Sequence, residues 1–175
     1  MEKALSNITV LDLTRVLAGP YCTMMLADYG ANVIKIEMPG KGDDTRAMGP
    51  KKNDYSMYYA YVNRGKKGIT LNLKSEEGKK LFLEMVKKAD VVVENYRPGV
   101  MDKLGVGYDV LKEVNDQIIY AAVSGFGRNS GLRPGKCGKY EQPQHGCRHQ
   151  DQKRTLHAAS RRCGPWRPVR SHIRR

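Results

Sequence analysis

Two polar and basic stretches carry side chains of the types that bind a phosphorylated ligand. Asn-Arg-Gly-Lys-Lys at 63–67 places three cations before an alternating apolar and polar run that ends at Lys74. Glu-Asn-Tyr-Arg-Pro-Gly at 94–99 combines an amide, an aromatic ring and an arginine, and Lys103 follows closely. Lysine and arginine bind phosphates, and an aromatic or apolar side chain can pack against adenine. The stretches therefore indicate a nucleotide-like ligand, although solvated surface lysines would explain the same spacing.

A nicotinamide dinucleotide is the first nucleotide to consider. Glu37 comes at the end of a predicted strand, where the acid that binds the ribose would lie. The preceding loop at 14–20, Thr-Arg-Val-Leu-Ala-Gly-Pro, has one glycine and lacks the G-x-G-x-x-G motif. Without those glycines the backbone cannot approach a pyrophosphate in the usual way. The sequence therefore argues against a dinucleotide site.

Alternating strands and helices must position these groups. Short β-branched or apolar runs predict strands, and apolar stripes behind Pro20 and Ser75 predict helices. The predicted strands are 8–13, 32–37, 67–74, 90–94 and 118–123, and the predicted helices are 20–29, 76–88 and 108–114. We expect Cys22, Met25 and Leu26 on one face of the first helix, Leu81, Phe82, Met85 and Val86 on the second, and a long exposed loop at 38–56.

This order of elements predicts an α/β domain with a mostly parallel sheet flanked by helices. In such sheets ligands bind beyond the carboxyl ends of the strands. The rule selects four loops, at 14–20, 38–46, 95–104 and 124–130. We find no internal repeat.

Six segments resemble family III CoA-transferases, the formyl-CoA and carnitine CoA-transferase (CaiB/BaiF-like) group. They occur in the family's order over residues 5–130, at 10–20, 30–37, 42–46, 71–74, 93–99 and 124–127. The resemblance implies an N-terminal Rossmann-like, CoA-binding domain at 5–130. It also implies transfer of CoA between an acyl-CoA and a carboxylic acid, and a dimer of interlocked chains. A CoA thioester would be a substrate, with no permanently bound cofactor and no metal.

Carried over residue by residue, the resemblance implies a set of CoA-contacting positions. They are Val16, Leu17, Met38, Leu71, Asn72, Leu73, Lys74, Asn95, Tyr96, Arg97 and Lys103. Some members have a glutamine in place of Leu17 and a basic residue in place of Met38. Leu17 cannot donate a hydrogen bond, which argues against formyl-CoA transferase itself. Met38 is adaptable and polarisable and can still pack against the adenine.

The family's nucleophile is an aspartate that forms a mixed anhydride and then an aspartyl-CoA thioester. The family's spacing places it near residue 170, within Arg-Pro-Val-Arg-Ser-His at 167–172, where there is no acid. Asp151 lies in a stretch without family character, and Asp12 and Asp43 are expected to be structural. We therefore assign no catalytic residue and expect a truncated, inactive fragment. An acyl-CoA racemase of the same superfamily remains an alternative, because its acid and base lie beyond the matched segments.

The composition changes after residue 130. Residues 131–175 hold 12 of the 31 Lys and Arg residues and two of the 18 acidic ones, so they carry +10 of the net charge of +13. We expect 136–175 to be a basic, Cys- and His-containing tail that is disordered, being poor in aliphatic residues, and the product of a frameshift or mispredicted end.

The tail also allows two other interpretations. The residues that could ligate a metal, Cys137, Cys147, His149, His157 and Cys163, do not have the spacing of a standard zinc module. The basic residues at 161–175 could bind nucleic acid or anionic lipid, but no reading module accompanies them. A non-catalytic CoA- or nucleotide-binding module with a basic partner-binding tail is therefore the second alternative.

The rest of the chain indicates neither a membrane nor a secreted protein. No run of about 18 apolar residues exists, and residues 1–7 lack the layout of a secretory signal. We expect a cytoplasmic protein that binds neither membrane nor nucleic acid.

Overall fold

Six short strands form one parallel sheet in the computed structural model, which describes residues 3–125 and the backbone of residues 155–156. The elements in chain order are β1 (Thr9–Asp12), α1 (Ala18–Asp28), β2 (Asn32–Glu37), a 3-10 turn (Asp44–Ala47), β3 (Lys51–Lys52), β4 (Tyr55–Ser56), α2 (Met57–Val62), β5 (Lys67–Thr70), α3 (Glu76–Val86), β6 (Val91–Glu94), α4 (Val100–Lys103), α5 (Tyr108–Val114), β7 (Ile119–Ala122) and β8 (Thr155–Leu156). The predicted α/β class is confirmed.

The order of the strands places a crevice at one end of the sheet. The order is β5-β2-β1-β6-β7, with β8 beside β7, and every neighbouring pair is parallel. The chain moves from β1 to β2 and β5 on one side, and then to β6 and β7 on the other. The loops that follow β1 and β6 therefore diverge at the carboxyl edge, the usual ligand position in open α/β sheets.

The core lies on both faces of the sheet. Successive residues of a strand point to opposite faces, and in β1 Val10 and Leu11 accordingly belong to different apolar clusters. The Leu11 cluster includes Phe82 of α3 and Tyr120 of β7, whereas the Val10 cluster includes Ala27 of α1. Burial on both faces explains why the central strands have apolar residues in succession.

Helix α3 begins where the sequence predicts. The Ser75 hydroxyl accepts a hydrogen bond from the Gly78 N–H, which caps the first turn. Phe82 and Val86 are buried, but Leu81 is 54% exposed, so the predicted stripe was too wide. Phe82 and Val86 belong to the Leu11 cluster, whereas Leu81 does not.

The predicted helix α1 is present, but the apolar face named for it is only partly buried. Cys22 and Leu26 are half-buried and Met25 is exposed, whereas Thr23 and Ala27 are buried. A Cβ on Gly19 would lie 2.4 Å from the Thr14 Cβ, so the helix approaches the β1 loop closely at that glycine. Residues four and eight positions later then face the sheet.

The prediction of a long exposed loop was wrong for the middle of residues 38–56. This segment contains the 3-10 turn and the β3–β4 hairpin, and Asp43 and Thr45 are buried within it. The sequence analysis also missed α2 and α4. Strand β5 ends at Thr70 rather than at Lys74, because Asn72 turns the chain by accepting from the Lys74 N–H at 3.0 Å.

The limits of the predicted domain, 5–130, and the predictions for the tail at 136–175 remain untested. Residues 126–154 and 157–175 lie outside the described part of the chain. Within the described part, no helix is long and apolar enough to span a membrane.

Candidate functional site

Reciprocal hydrogen bonds join the two diverging loops at the carboxyl edge. The Asn95 side chain donates from Nδ2 to the Arg15 carbonyl at 2.7 Å, and its Oδ1 accepts from the Arg15 N–H at 2.8 Å. Asn95 follows β6 and Arg15 follows β1, so this amide clasp, as we name these two bonds, spans the crevice. Next to the clasp, Val16 has a φ of 68°. That conformation is strained for a β-branched residue.

A buried ion pair between Lys35 and Asp43 stabilises the loop that follows β1. Lys35 of β2 donates from Nζ to the Asp43 carboxylate and to the Thr14 carbonyl, both at 2.9 Å. The Lys35 and Asp43 side chains are each 1% exposed. Burial alone would raise the pKa of Asp43, but hydrogen bonds from Thr45 and Lys35 outweigh it and lower the pKa. Asp43 therefore stays ionised and fixes the loop after β2 against the loop after β1.

Glu37, at the end of β2, is saturated by protein groups. Its carboxylate accepts from Arg46 Nε and Nη2 at 2.8 and 2.9 Å, from the Tyr59 hydroxyl at 2.6 Å and from the Asp43 N–H at 2.9 Å. Burial alone would raise the pKa of Glu37, but the bonds from Arg46, Tyr59 and Asp43 lower it. Burial and the bond to Glu37 raise the pKa of Tyr59. With its oxygens occupied, Glu37 is not available to a ribose, which removes the remaining support for a dinucleotide site.

Two of the three cations at 63–67 form ion pairs with acidic residues of the protein. Lys66 donates from Nζ to Asp12, to the Pro20 carbonyl and to Asn63, and the Lys66 and Asp12 side chains are 1% and 0% exposed. Burial lowers the pKa of Lys66, an effect that Asp12 partly opposes. Arg64 forms an ion pair with Asp28. Lys67, the third cation of the stretch, forms none of these contacts.

The predicted CoA-contacting positions follow β1, β2, β5 and β6, so they gather at the same edge of the sheet. Val16, Leu17 and Met38 expose apolar side chains there, at 39%, 48% and 43%. The exposed polar positions are Asn72, Lys74, Arg97 and Lys103. Leu71, Asn95 and Tyr96 are half-buried, and Leu73 is buried in the Leu11 cluster.

The family model described as CoA-transferase family III matches residues 5–141. This chain belongs to CoA-transferase family III. It is 56% identical over 126 residues to the acetyl-CoA:oxalate CoA-transferase of Acetobacter aceti, covering 72% of this chain and 32% of that protein. It is 49% identical over 127 residues to the human succinyl-CoA:glutarate CoA-transferase, covering 72% of this chain and 29% of that protein.

Two solved structures resemble the described fold. A hypothetical protein from Mycobacterium tuberculosis superimposes with a TM-score of 0.69 at 43% identity, covering 76% of this chain and 37% of that one. A CaiB/BaiF family protein from Brucella suis gives a TM-score of 0.67 at 42% identity, covering 72% and 34%. This chain therefore spans about a third of the length of the family members that it matches.

The buried acids of this family member are committed to structural contacts. In the described residues the buried carboxylates are those of Asp12, Glu37, Asp43 and Glu94. Glu94 accepts from the Tyr96 N–H at 2.6 Å and from the Tyr120 hydroxyl at 3.1 Å, and the other three are bonded as above. None of the four is presented to a ligand as a nucleophile. The half-buried thiol of Cys22 has its pKa raised by burial and by Asp12, so it stays protonated near neutral pH.

Across residues 3–125, no three acidic, histidine or cysteine side chains are grouped as metal ligands. The edge described above presents exposed cations and exposed apolar side chains to solvent.

Sequence reasoning missed the supporting residues of the site, above all Lys35 and Arg15. A signal for Lys35 was present, because a lysine within Asn-Val-Ile-Lys-Ile-Glu, a strand predicted to be buried, needs a buried acidic partner. No comparable signal existed for Arg15, whose role is carried by its backbone and by an ion pair with Asp44 at 2.7 Å.

Proposed function

We propose that the described domain binds the CoA moiety of an acyl-CoA at the carboxyl edge of its sheet. The observation that carries the proposal is the convergence of the predicted positions, which follow four different strands, at that one edge. Arg97, Lys103 and Lys74 are exposed there and can bind phosphates. Val16, Leu17 and Met38 supply apolar surface for the adenine or the pantetheine arm.

The whole protein, in this proposal, transfers CoA between an acyl-CoA and a carboxylic acid through an aspartyl intermediate. The relatives support a transferase over a racemase, because their names pair CoA thioesters with oxalate, mesaconate or glutarate. All three acceptors are dicarboxylates, so we propose a dicarboxylate acceptor.

The nucleophilic aspartate of the reaction is not among the residues proposed to bind CoA. The position expected for it, near residue 170, has no acid and is beyond the described residues. We therefore expect the 175-residue chain to bind CoA without catalysing transfer. We further propose a homodimer and a cytoplasmic location for the full-length family member, as the family resemblance implies.

Calorimetric titration of the 175-residue chain with CoA tests the proposal. We expect saturable binding that Arg97→Ala weakens by about tenfold or more, since a hydrogen bond to a charged group contributes about 1.5–3 kcal/mol. Lys88→Ala is the matched control. Lys88 is also exposed, but it precedes β6 whereas Arg97 follows it, so the two cations lie at opposite edges of the sheet.

Two results would contradict the proposal. One is the absence of CoA binding by a chain whose far-UV circular dichroism shows it to be folded. The other is equal weakening by Arg97→Ala and Lys88→Ala, which would indicate attraction by overall charge rather than a site. Measurable transfer of CoA from acetyl-CoA to oxalate would refute the expected lack of turnover while leaving the binding site intact.

A further inference from the structure

The side-chain amide of Asn95 is already engaged within the protein. Its donor and its acceptor both bond to the backbone of Arg15, at 2.7 and 2.8 Å. These two bonds fix the orientation of the amide and fill half of its hydrogen-bonding capacity. The position of Asn95 among the predicted CoA contacts therefore has a second explanation besides direct contact.

The chain on both sides of Val16 is held by the surrounding structure. Lys35 donates to the Thr14 carbonyl, Asn95 bonds the N–H and the carbonyl of Arg15, and the Val16 N–H points to Asp43 at 3.4 Å. Within this frame Val16 adopts a φ of 68°. An L-residue with a branched side chain leaves that region unless its surroundings impose it.

The conformation of Val16 has a consequence for the surface. Val16 and Leu17 are among the exposed apolar side chains of the described chain, and they stand between the clasp and the start of α1. A valine that relaxed to a negative φ would redirect the backbone at that point and move both side chains. The conformation of Val16 therefore determines the positions of the Val16 and Leu17 side chains in the wall of the crevice.

We propose that Asn95 is a positioning residue, which holds Val16 in the left-handed conformation and thereby places Val16 and Leu17 against CoA. The inference rests on the proposed CoA site. Without the clasp, only part of the population keeps the competent loop, and the apparent dissociation constant rises by the inverse of that fraction. For two lost hydrogen bonds we expect Asn95→Ala to weaken CoA binding on the order of tenfold.

A double-mutant cycle with Val16→Gly separates positioning from direct contact. Glycine adopts positive φ about as readily as negative φ, so a loop with glycine at position 16 has less strain to release when the clasp is lost. We expect Asn95→Ala to weaken CoA binding less than about threefold in the Val16→Gly background, against about tenfold in the native background. If Asn95 contacts CoA directly, the two losses are equal, and that result overturns the inference.

Asn115→Ala is the structural control. The Asn115 amide donates to the carbonyls of Val86 and Ala89, at 3.0 and 2.9 Å, before β6 and therefore away from the crevice. We expect Asn115→Ala to lower the thermal midpoint about as much as Asn95→Ala does, and to leave the CoA dissociation constant unchanged. Equal weakening of binding by both variants would reduce the role of Asn95 to general stability and contradict positioning.

A variant that does not fold and a site that does not bind CoA give different results. If Asn95→Ala does not fold, Asn95→Asp replaces it in the same cycle, because the carboxylate still accepts from the Arg15 N–H, while repulsion between two oxygens replaces the bond to the Arg15 carbonyl. If neither the native chain nor Val16→Gly binds CoA, the proposed function fails and the inference fails with it. Binding with additive losses refutes the inference alone.

Discussion

Substitution of Lys66 tests how much its buried ion pair with Asp12 stabilises the domain. Its side chain is 1% exposed, and the ammonium group donates to Asp12, the Pro20 carbonyl and Asn63 at 2.9, 2.9 and 3.0 Å. Lys66→Met has a similar volume but leaves the Asp12 charge buried without its cation. Breaking one partner of a buried pair costs about 3–5 kcal/mol, which is a large share of the roughly 5–15 kcal/mol that stabilises a typical domain.

Urea unfolding followed by far-UV circular dichroism measures that loss. The matched variant combines Asp12→Asn with Lys66→Met, which removes both charges. The new amide keeps an acceptor for the Thr14 hydroxyl and puts a donor in place of the oxygen that accepts from Thr23. We expect the double variant to recover at least half of the free energy lost by Lys66→Met, since a buried polar pair replaced as a unit leaves no isolated charge. A double variant that loses the sum of the two single losses would refute this account of the pair.

Two further perturbations address the loops beside the site. The pKa values of Glu37 and Asp43 lie below their ordinary values of 4.5 and 3.8, because hydrogen bonds outweigh burial; their stabilisation is therefore complete above the ordinary values and is lost as the pH falls through the lowered ones. We expect Glu37→Gln to lose less unfolding free energy than the native chain between pH 6 and pH 3 in urea titrations, and equal losses would contradict the role of Glu37. A Cβ on Gly78 would lie 1.9 Å from the Asn72 carbonyl oxygen, so Gly78→Ala should lower the unfolding free energy by more than about 2 kcal/mol despite alanine's helix propensity. The exposed Lys80→Ala on the same helix should change it by less than about 0.5 kcal/mol, and similar changes for both variants would exclude the close approach as the cause.

The framework of the fold could be predicted because its signals are local. Val91 to Val93 are apolar in succession, as a strand covered on both faces requires, and Ser75 ahead of two glutamates marks the start of α3. From such elements the carboxyl edge follows by the general rule for parallel sheets. The selection of that edge needed no knowledge of the side-chain contacts.

The ion pairs beneath the edge could not be predicted, because their partners are distant or lie in loop-like sequence. Lys66 sits among glycine and other cations, a composition typical of solvent-exposed loops, yet it pairs with Asp12 at the far end of a central strand. Residues 38–56 contain the glycine, proline and charge of an exposed loop, and the burial of Asp43 there depends on Lys35. The CoA positions themselves came from family resemblance and stay a prediction.

The arrangement of β1 at the centre of the sheet has a consequence for how the chain folds during synthesis. One neighbour, β2, is made soon after β1, but the other, β6, arrives late, as the bond from the Thr9 N–H to Asp90 across 81 positions shows. Until β6 emerges, one hydrogen-bonding side of the most central strand has no partner, and a bare strand edge is a template for unwanted pairing. Contacts of such long sequence separation also slow folding. We therefore expect β1, β2 and α1 to remain without stable tertiary structure in nascent chains that end before residue 94, and protease protection of staged nascent chains to appear only once β6 is complete.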